Sequence, residues 1–249
     1  MLPDFLIVGA MKSGTSTFYH HLIRHPQIAA ARTKEVHFFD HRWHKGLNWY
    51  RSFFPLKRSM PEGGITGEAT PYYLFHPSVP PRISTVLSEV RLLVLLRDPV
   101  ERTFSHYRHE VRSGRETLSF EDALSAEEER LAGEHQQLVS RPRYRSIAHQ
   151  AFSYRSRSIY ADQVEAWFEW FNPGSMLVVK AEDLFERPDV VTERALRFLG
   201  LPMMELGLVP HRNKGRASRM KPETQADLQA FFEPHNQRLY RLLGWDSEW

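Results

Sequence analysis

The chain has 249 residues, 41% of them hydrophobic and 25% charged, which is enough to bury a substantial core and ordinary for a soluble globular protein. Its 33 basic residues are nearly balanced by 30 acidic ones, and the net charge of +3 speaks against a nucleic-acid binder while weakly favouring an anionic ligand. The absence of cysteine excludes disulfides, thiolate zinc sites and cysteine nucleophiles.

No apolar run approaches the length of a membrane span. The amino terminus enters a strand by Phe5, which leaves no room for a signal peptide. The expectation is a cytoplasmic protein forming one domain over residues 1–249, or a domain of a larger cytosolic chain.

Phe5 to Val8 is an apolar run, followed by a small-residue loop with one lysine (Gly9 to Ser13) and then a helical pattern. Phe18, Leu22 and Ile23 repeat at helical spacing and Pro26 stops the helix. Such a strand, loop and helix cradle an anion, because glycine admits a phosphate close to the backbone and the first helical N–H groups point at it unpaired. Gly9 and Gly14 have the separation of a Walker A loop, but Thr15 and Ser16 stand where lysine and a hydroxyl residue are required. The only lysine, Lys12, comes two residues before Gly14 and so meets the anion at a different point. A βα turn that binds nothing is the plainer alternative. It seldom collects Lys12 together with Ser13, Thr15, Ser16 and Thr17.

Residues 29–55 mix polar, aromatic and basic residues without clean periodicity and are expected to be irregular with short helices. Ile65 to Thr70 is a short strand closed by Pro71, and residues 77–87 form a helix that starts after prolines. Arg91 to Leu96 reads RLLVLL, the continuous apolar run of a strand buried on both faces of a parallel sheet. Pro99 then opens a helix to about Arg112 with Phe104 and Val111 inward. Ser119 begins a capping-box pattern with Asp122, and an acidic helix follows to about Leu131.

Residues 133–157 carry Arg141, Arg143, Arg145, Arg155 and Arg157 and read as the least structured part, either a solvated loop or a flexible basic rim over the site. Tyr160 to Phe171 is a helix with Val164, Trp167, Phe168 and Phe171 on one face, which reads as core. Met176 to Val179 is another buried strand, and Val190 to Leu199 is a helix capped by Gly200. Residues 211–219 form a basic loop, and 222–232 and 236–243 are two closing helices. Helices alternating with buried strands predict a three-layer, P-loop-like α/β fold with a mostly parallel central sheet flanked by helices.

In such a fold the ligand sits beyond the carboxyl ends of the strands. A nucleotide hydrolase usually ends the strand equivalent to 91–96 in a magnesium-binding aspartate, whereas here Arg97 follows. A planar guanidinium there, with Ser105 two helical turns on, suits a second phosphate, while a salt bridge to Asp98 or Glu101 is its structural alternative. Lys214-Gly215-Arg216 offers a third anion contact, since glycine between two cations lets the backbone fold round an anion. Glu35, next to Lys34, should have its pKa pulled down and be free to accept a proton from an alcohol; otherwise it is a surface carboxylate paired to Lys34. His37 falls on the same side of an extended segment. His37, Asp40, His41 and His44 have spacings that could gather round a metal, against which Phe38-Phe39 demands burial nearby.

The motifs GAMKSGTS, KEVHFFD, GEATPYYL, LLRDPVERTFSHY and NKGR, in this order over nearly the whole chain, resemble the sulfotransferases that use 3′-phosphoadenosine 5′-phosphosulfate (PAPS). The resemblance is to the heparan sulfate sulfotransferase branch and related bacterial sulfotransferase domains, and it implies a bacterial enzyme of that class. It implies that Lys12 to Thr17 hold the 5′-phosphosulfate, that Arg97 and Ser105 hold the 3′-phosphate, and that Lys214, Gly215 and Arg216 complete the donor site. Glu35 matches the family's catalytic base, and His37 and Asp40 match acceptor-side residues.

The chain departs from the pattern at Ala69, where a lysine is common, and in lacking the cysteines of the family's hairpin before the KGR loop. The expectation is a chain without the membrane anchor of the Golgi members. The expected reaction is in-line sulfuryl transfer from PAPS to a hydroxyl without a metal, with Glu35 as base, His37 assisting and Lys12 stabilising the departing phosphate. The acceptor is open among a glycan, a carrier-bound hydroxyacyl chain and a small natural product, with no nucleic acid and no membrane span involved. The alternatives are a metal-dependent P-loop small-molecule kinase and a non-catalytic nucleotide- or glycan-binding module.

Overall fold

The computed structural model describes residues 1–207, 220–246 and 249. Five strands form its sheet: β1 (Phe5–Gly9), β2 (Ile28–Ala30), β3 (Ile65–Ala69), β4 (Arg91–Leu96) and β5 (Met176–Lys180). All pairings are parallel and the order is β2-β3-β1-β4-β5. The chain moves out from β1 on one side and later returns to its other side, so the crevice at the carboxyl end of β1 is the switch point where ligands bind in open α/β sheets.

Strands β1, β4 and β5 are apolar except at the ends of β4 and β5, because both faces are covered. Leu6, Val8, Leu92, Val94, Leu96 and Val178 point to one core, with Trp167 and Val164 packed beneath them. Phe5, Ile7, Leu93, Leu95 and Val179 point to the other, against Phe18, Leu22 and Leu196. Adjacent residues of one strand thus belong to opposite layers, the period of two that a pleated strand dictates.

In chain order the α-helices are α1 (Thr15–Leu22), α2 (Leu47–Arg51), α3 (Val79–Val86), α4 (Pro99–Arg112), α5 (Phe120–Ser125), α6 (Glu127–Leu131), α7 (Glu134–Ser140), α8 (Ile147–Ala151), α9 (Tyr160–Phe168), α10 (Ala181–Glu186), α11 (Pro188–Phe198) and α12 (Pro222–Leu243). Several depart from the sequence reading. The stretch from 133 to 157 is largely helical, as α7 and α8 and a short 3-10 turn at Ser156–Ser158. Leu138, His149, Tyr154 and Arg157 are buried there, so it is part of the packed body rather than a loose rim.

On α4 the expected inward Val111 is 42% exposed, and Arg102, Thr103, His106 and Glu110 are buried instead. On that face Arg102 and Thr103 bond to the 154–158 turn, and Glu110 bonds to Arg115. The guanidinium of Arg102 donates to the Tyr154 carbonyl, and Thr103 bonds Ser158 Oγ at 2.8 Å. The two closing helices are one continuous α12 with Pro234 inside it. The edge strand β2 begins at Ile28 and runs into the stretch from 29 that reads as mostly irregular.

Candidate active site

The loop after β1 turns through Lys12 (φ 72°) and Gly14 (φ 83°) into α1. Gly14 is the N-cap of that helix and its carbonyl accepts the first intrahelical bond, from Phe18 N–H at 3.0 Å. The N–H groups of Thr15, Ser16 and Thr17 therefore precede the hydrogen-bonded ladder and open on the crevice. The left-handed φ of Gly14 favours glycine, and a Cβ there would stand 3.2 Å from the Phe185 ring, which would have to shift. The Ser13 hydroxyl is buried with no protein partner, a polar atom left for a ligand to satisfy.

These residues line a cleft of about 1180 Å³ at the carboxyl edge of the sheet. Lys12, Ser13, Gly14, Thr15, Ser16 and Thr17 form one wall; Arg97 and Ser105 enter from β4 and α4, and Glu35 and His37 from the segment after β2. All the expected site residues that the structure describes thus share one cavity. Lys214, Gly215 and Arg216 lie outside the described residues.

Burial lowers the pKa of Lys12, and the guanidinium groups of Arg112 and Arg97 lower it further, so the wall is strongly electropositive. Arg97 also pairs with Glu101 at 3.1 Å, the structural role weighed for it, while remaining in the lining.

Glu35 and His37 are not on an extended segment. Both are left-handed, with φ of 60° and 54°. Among the described residues the non-glycine positions with positive φ are Lys12, Glu35 and His37, and all three face the cleft. Such backbone is costly for a side-chain-bearing residue, and it concentrates at sites where the surroundings hold it.

Glu35 Oε2 is 3.5 Å from His37 Nε2, its Oε1 is bonded by the Lys34 ammonium, and His37 Nδ1 is 2.6 Å from Asp40 Oδ2. Burial pushes the Glu35 carboxyl up, but the bonds from His37 and Lys34 outweigh it and hold it at about 2. Burial pushes His37 down, but its bonds to Asp40 and Glu35 bring it up to about 9. The result is an imidazolium between two carboxylates, one of which opens on the cleft. Asp40 and His41 join His37 with their ligating atoms within 4.8 Å of one another, whereas His44 is not part of that group.

Sequence reasoning passed over Tyr72 and Gln150 in the lining, and it named Arg145 and Arg157 only as members of a basic rim. Tyr72 follows Pro71 at the end of β3, and Gln150 comes from α8. Arg157 is 2% exposed, sits 4.9 Å over the Tyr72 ring, and donates to the Gln150 carbonyl at 3.2 Å. No carboxylate lies within 4 Å of it among the described residues. Burial, with Arg102 nearby, lowers its pKa to about 10. Arg145 also reaches the cleft, Arg141 and Arg143 are exposed outside it, and Arg155 is engaged with Glu127 at 3.8 Å. An arginine-rich run in sequence carries no mark of which member turns inward.

A lysine-bearing small-residue loop at the switch point of a parallel sheet, an arginine closing the neighbouring strand and a carboxylate–imidazolium pair opposite thus meet in one cleft. A sulfotransferase domain family model matches residues 2–233, and the chain belongs to that family. Mouse heparan sulfate glucosamine 3-O-sulfotransferase 3A1 is 32% identical over 272 residues, covering 100% of this chain and 64% of that protein. The chain spans slightly under two thirds, 64–66%, of the length of the first curated relatives it matches.

Among solved structures, a sulfotransferase from Alicyclobacillus acidocaldarius superposes with a TM-score of 0.79 at 31% identity, covering 99% of this chain and 98% of that one. Mouse sulfotransferase SULT7A1 complexed with PAP shares the fold, with a TM-score of 0.59 at 15% identity over 97% of this chain and 87% of that one. No helix among the described residues is long and apolar enough to cross a membrane.

Proposed function

We propose that this protein transfers a sulfuryl group from PAPS to a hydroxyl of an anionic acceptor, most simply a sulfated or carboxylated saccharide, with Glu35 as general base. The observation that carries the reading is the convergence of Lys12, Glu35 and His37 on one cleft, each held in left-handed backbone.

The donor supplies the sulfuryl group and leaves as adenosine 3′,5′-bisphosphate (PAP). The residues present suit it. The open N–H groups at the start of α1, the unpartnered Ser13 hydroxyl and Lys12 would hold the phosphosulfate end, and Arg97 with Ser105 the 3′-phosphate. Glu35, ionised through the neutral range, takes the acceptor proton as the new oxygen–sulfur bond forms and the old sulfur–oxygen bond to phosphate breaks. His37 keeps that carboxylate in place and charged. Lys12 and the helix N-terminus stabilise the charge left on the phosphate. Cationic side chains meet the charge of a sulfuryl group, so the proposed reaction needs no metal ion.

The anionic acceptor is supported by Arg157, a buried cation in the lining with no carboxylate beside it among the described residues, and by Arg145 in the same lining. The relatives named as acting on heparan sulfate are of the same kind. The test is thermal unfolding with PAP against ATP and magnesium, followed by transfer to a panel of saccharide, carrier-bound hydroxyacyl and small phenolic or alcoholic acceptors. PAP at 100 times its dissociation constant should add about 2.7 kcal/mol of stability. Stabilisation by ATP-magnesium alone would point to a kinase, and transfer only to uncharged acceptors would remove the role given to Arg157.

A further inference from the structure

The segment that carries Glu35 and His37 has no regular secondary structure, yet the backbone N–H groups of residues 35–39 are all bonded. Glu35 N–H donates to the Ala69 carbonyl at 3.1 Å, Val36 N–H to Glu68 Oε2 at 3.1 Å, and His37 N–H to Thr70 Oγ1 at 3.5 Å. Phe38 and Phe39 N–H both reach the Tyr73 hydroxyl, at 2.8 and 3.4 Å. Every one of these acceptors belongs to residues 68–73, the end of β3 and the turn after it. The segment is therefore laid along a template.

Glu68 is the centre of that template. It is fully buried. Its Oε1 accepts from Tyr50 Oη at 2.8 Å and from Tyr73 Oη at 3.1 Å, and its Oε2 from Thr70 Oγ1 at 2.6 Å and from Val36 N–H. Four donors fill the acceptor positions of an ionised carboxylate. No cation lies within 4 Å of it among the described residues, and burial raises its pKa while the four bonds oppose the rise. A leucine of similar size would fill the space without the cost of burying a carboxyl group.

What the carboxylate does that leucine cannot is orient its neighbours. Because Glu68 takes the protons of Tyr73 and Thr70, the lone pairs of both hydroxyls are left to face the N–H groups of residues 37–39. The left-handed turns at Glu35 and His37 flank Val36, whose N–H bonds Glu68 directly. Glu68 is remote from the reacting atoms: it is absent from the cleft lining.

We propose that Glu68 is a positioning residue which, through Val36, Thr70 and Tyr73, holds Glu35 and His37 in their left-handed conformations and so aims the base at the acceptor hydroxyl. The proposal rests on Glu35 being that base. Releasing the template lets the segment relax toward ordinary backbone, which swings both side chains away from the cleft without disturbing the loop around Lys12.

The experiment compares Glu68→Leu, Glu68→Gln and Tyr73→Phe with Glu35→Gln, reading kcat, the KM for PAPS and the thermal shift given by PAP. Glu68→Leu should lower kcat about 100-fold, the scale of a small misplacement of a catalytic group, with the KM for PAPS and the PAP shift unchanged. Glu68→Gln should recover part of that loss, because its amide oxygen can keep the bonds from Val36 and Thr70 while its amide nitrogen cannot accept from Tyr50 and Tyr73. Tyr73→Phe should lower kcat with the same selectivity, and it decides the matter if Glu68→Leu does not fold. Wild-type kcat in both template variants beside an inactive Glu35→Gln overturns the inference and leaves the base assignment standing. So does an equal loss of kcat and PAP binding that Glu68→Gln does not rescue. Wild-type turnover in Glu35→Gln overturns the base assignment and the inference together.

Discussion

Replacing His37 by glutamine removes the positive charge between two carboxylates, and the consequence for stability follows from the geometry. His37 is 18% exposed, 2.6 Å from the buried Asp40 carboxylate and 3.5 Å from Glu35. Burial alone would lower its pKa, but the bonds to Asp40 and Glu35 raise it from 6.5 to about 9. A pKa that is higher in the folded state stabilises fully below pH 6.5, and the gain is lost as pH rises through 9. The gap of 9 − 6.5 = 2.5 pH units corresponds to about 3 kcal/mol. The depressed carboxyl pKa values of Asp40 and Glu35 express the same attraction and are not added to it. Urea unfolding of wild type and His37→Gln between pH 6 and pH 10 measures the effect. The stability gap between them should be widest at pH 6 and should shrink by about 3 kcal/mol on going to pH 10. A gap that stays constant over that range refutes a charged His37 held between carboxylates.

Three further outcomes are expected. Gly14→Ala forces a Cβ into left-handed backbone against Phe185, which should cost about 1–2 kcal/mol and abolish the PAP thermal shift; an unchanged melting curve and shift would show that the loop has room. Lys12→Met should lower kcat by about 10²–10³-fold and shrink the PAP shift, as removal of a donor to a developing charge does, and steady-state kinetics with PAPS varied will show whether it does. Arg157→Met should leave stability level or raised, since it replaces by an apolar chain a buried cation with no carboxylate within 4 Å among the described residues. It should also raise the acceptor KM by about tenfold or more, with PAP binding untouched; an unchanged KM would take Arg157 out of the acceptor site.

The fold was legible where burial is two-sided. Arg91–Leu96 and Met176–Lys180 are apolar at every inner position because both faces meet helices, and no surface position interrupts them. Ile28–Ala30 went unread because a three-residue edge strand has no period to detect. Helix α4 was read inside out: hydrophobic periodicity assigns Val111 inward, but here Arg102, His106 and Glu110 are buried, with Arg102 bonded to the 154–158 turn and Glu110 to Arg115. The helicity of residues 134–140 and 147–151 comes from packing against neighbours such as α6 rather than from an apolar stripe of its own. Pro234 read as a break, yet tertiary packing of Phe232 and Leu239 on either side carries the helix through.

At the site the residue types were readable and the backbone was not. Lys12, Arg97 and Glu35 stand out as charges beside strand ends and small residues. Left-handed backbone at a lysine, a glutamate and a histidine leaves no trace in sequence, since it depends on partners such as Ala69, Glu68 and Thr70 more than thirty residues away.

The central claim is that an ionised Glu35 takes the acceptor's proton in a cleft whose other wall binds the nucleotide. Single-turnover transfer from PAPS by Glu35→Gln, run beside its PAP thermal shift, tests it most directly. A rate about 100-fold or more below wild type with the PAP shift intact is the predicted result. Transfer at the wild-type rate would contradict it.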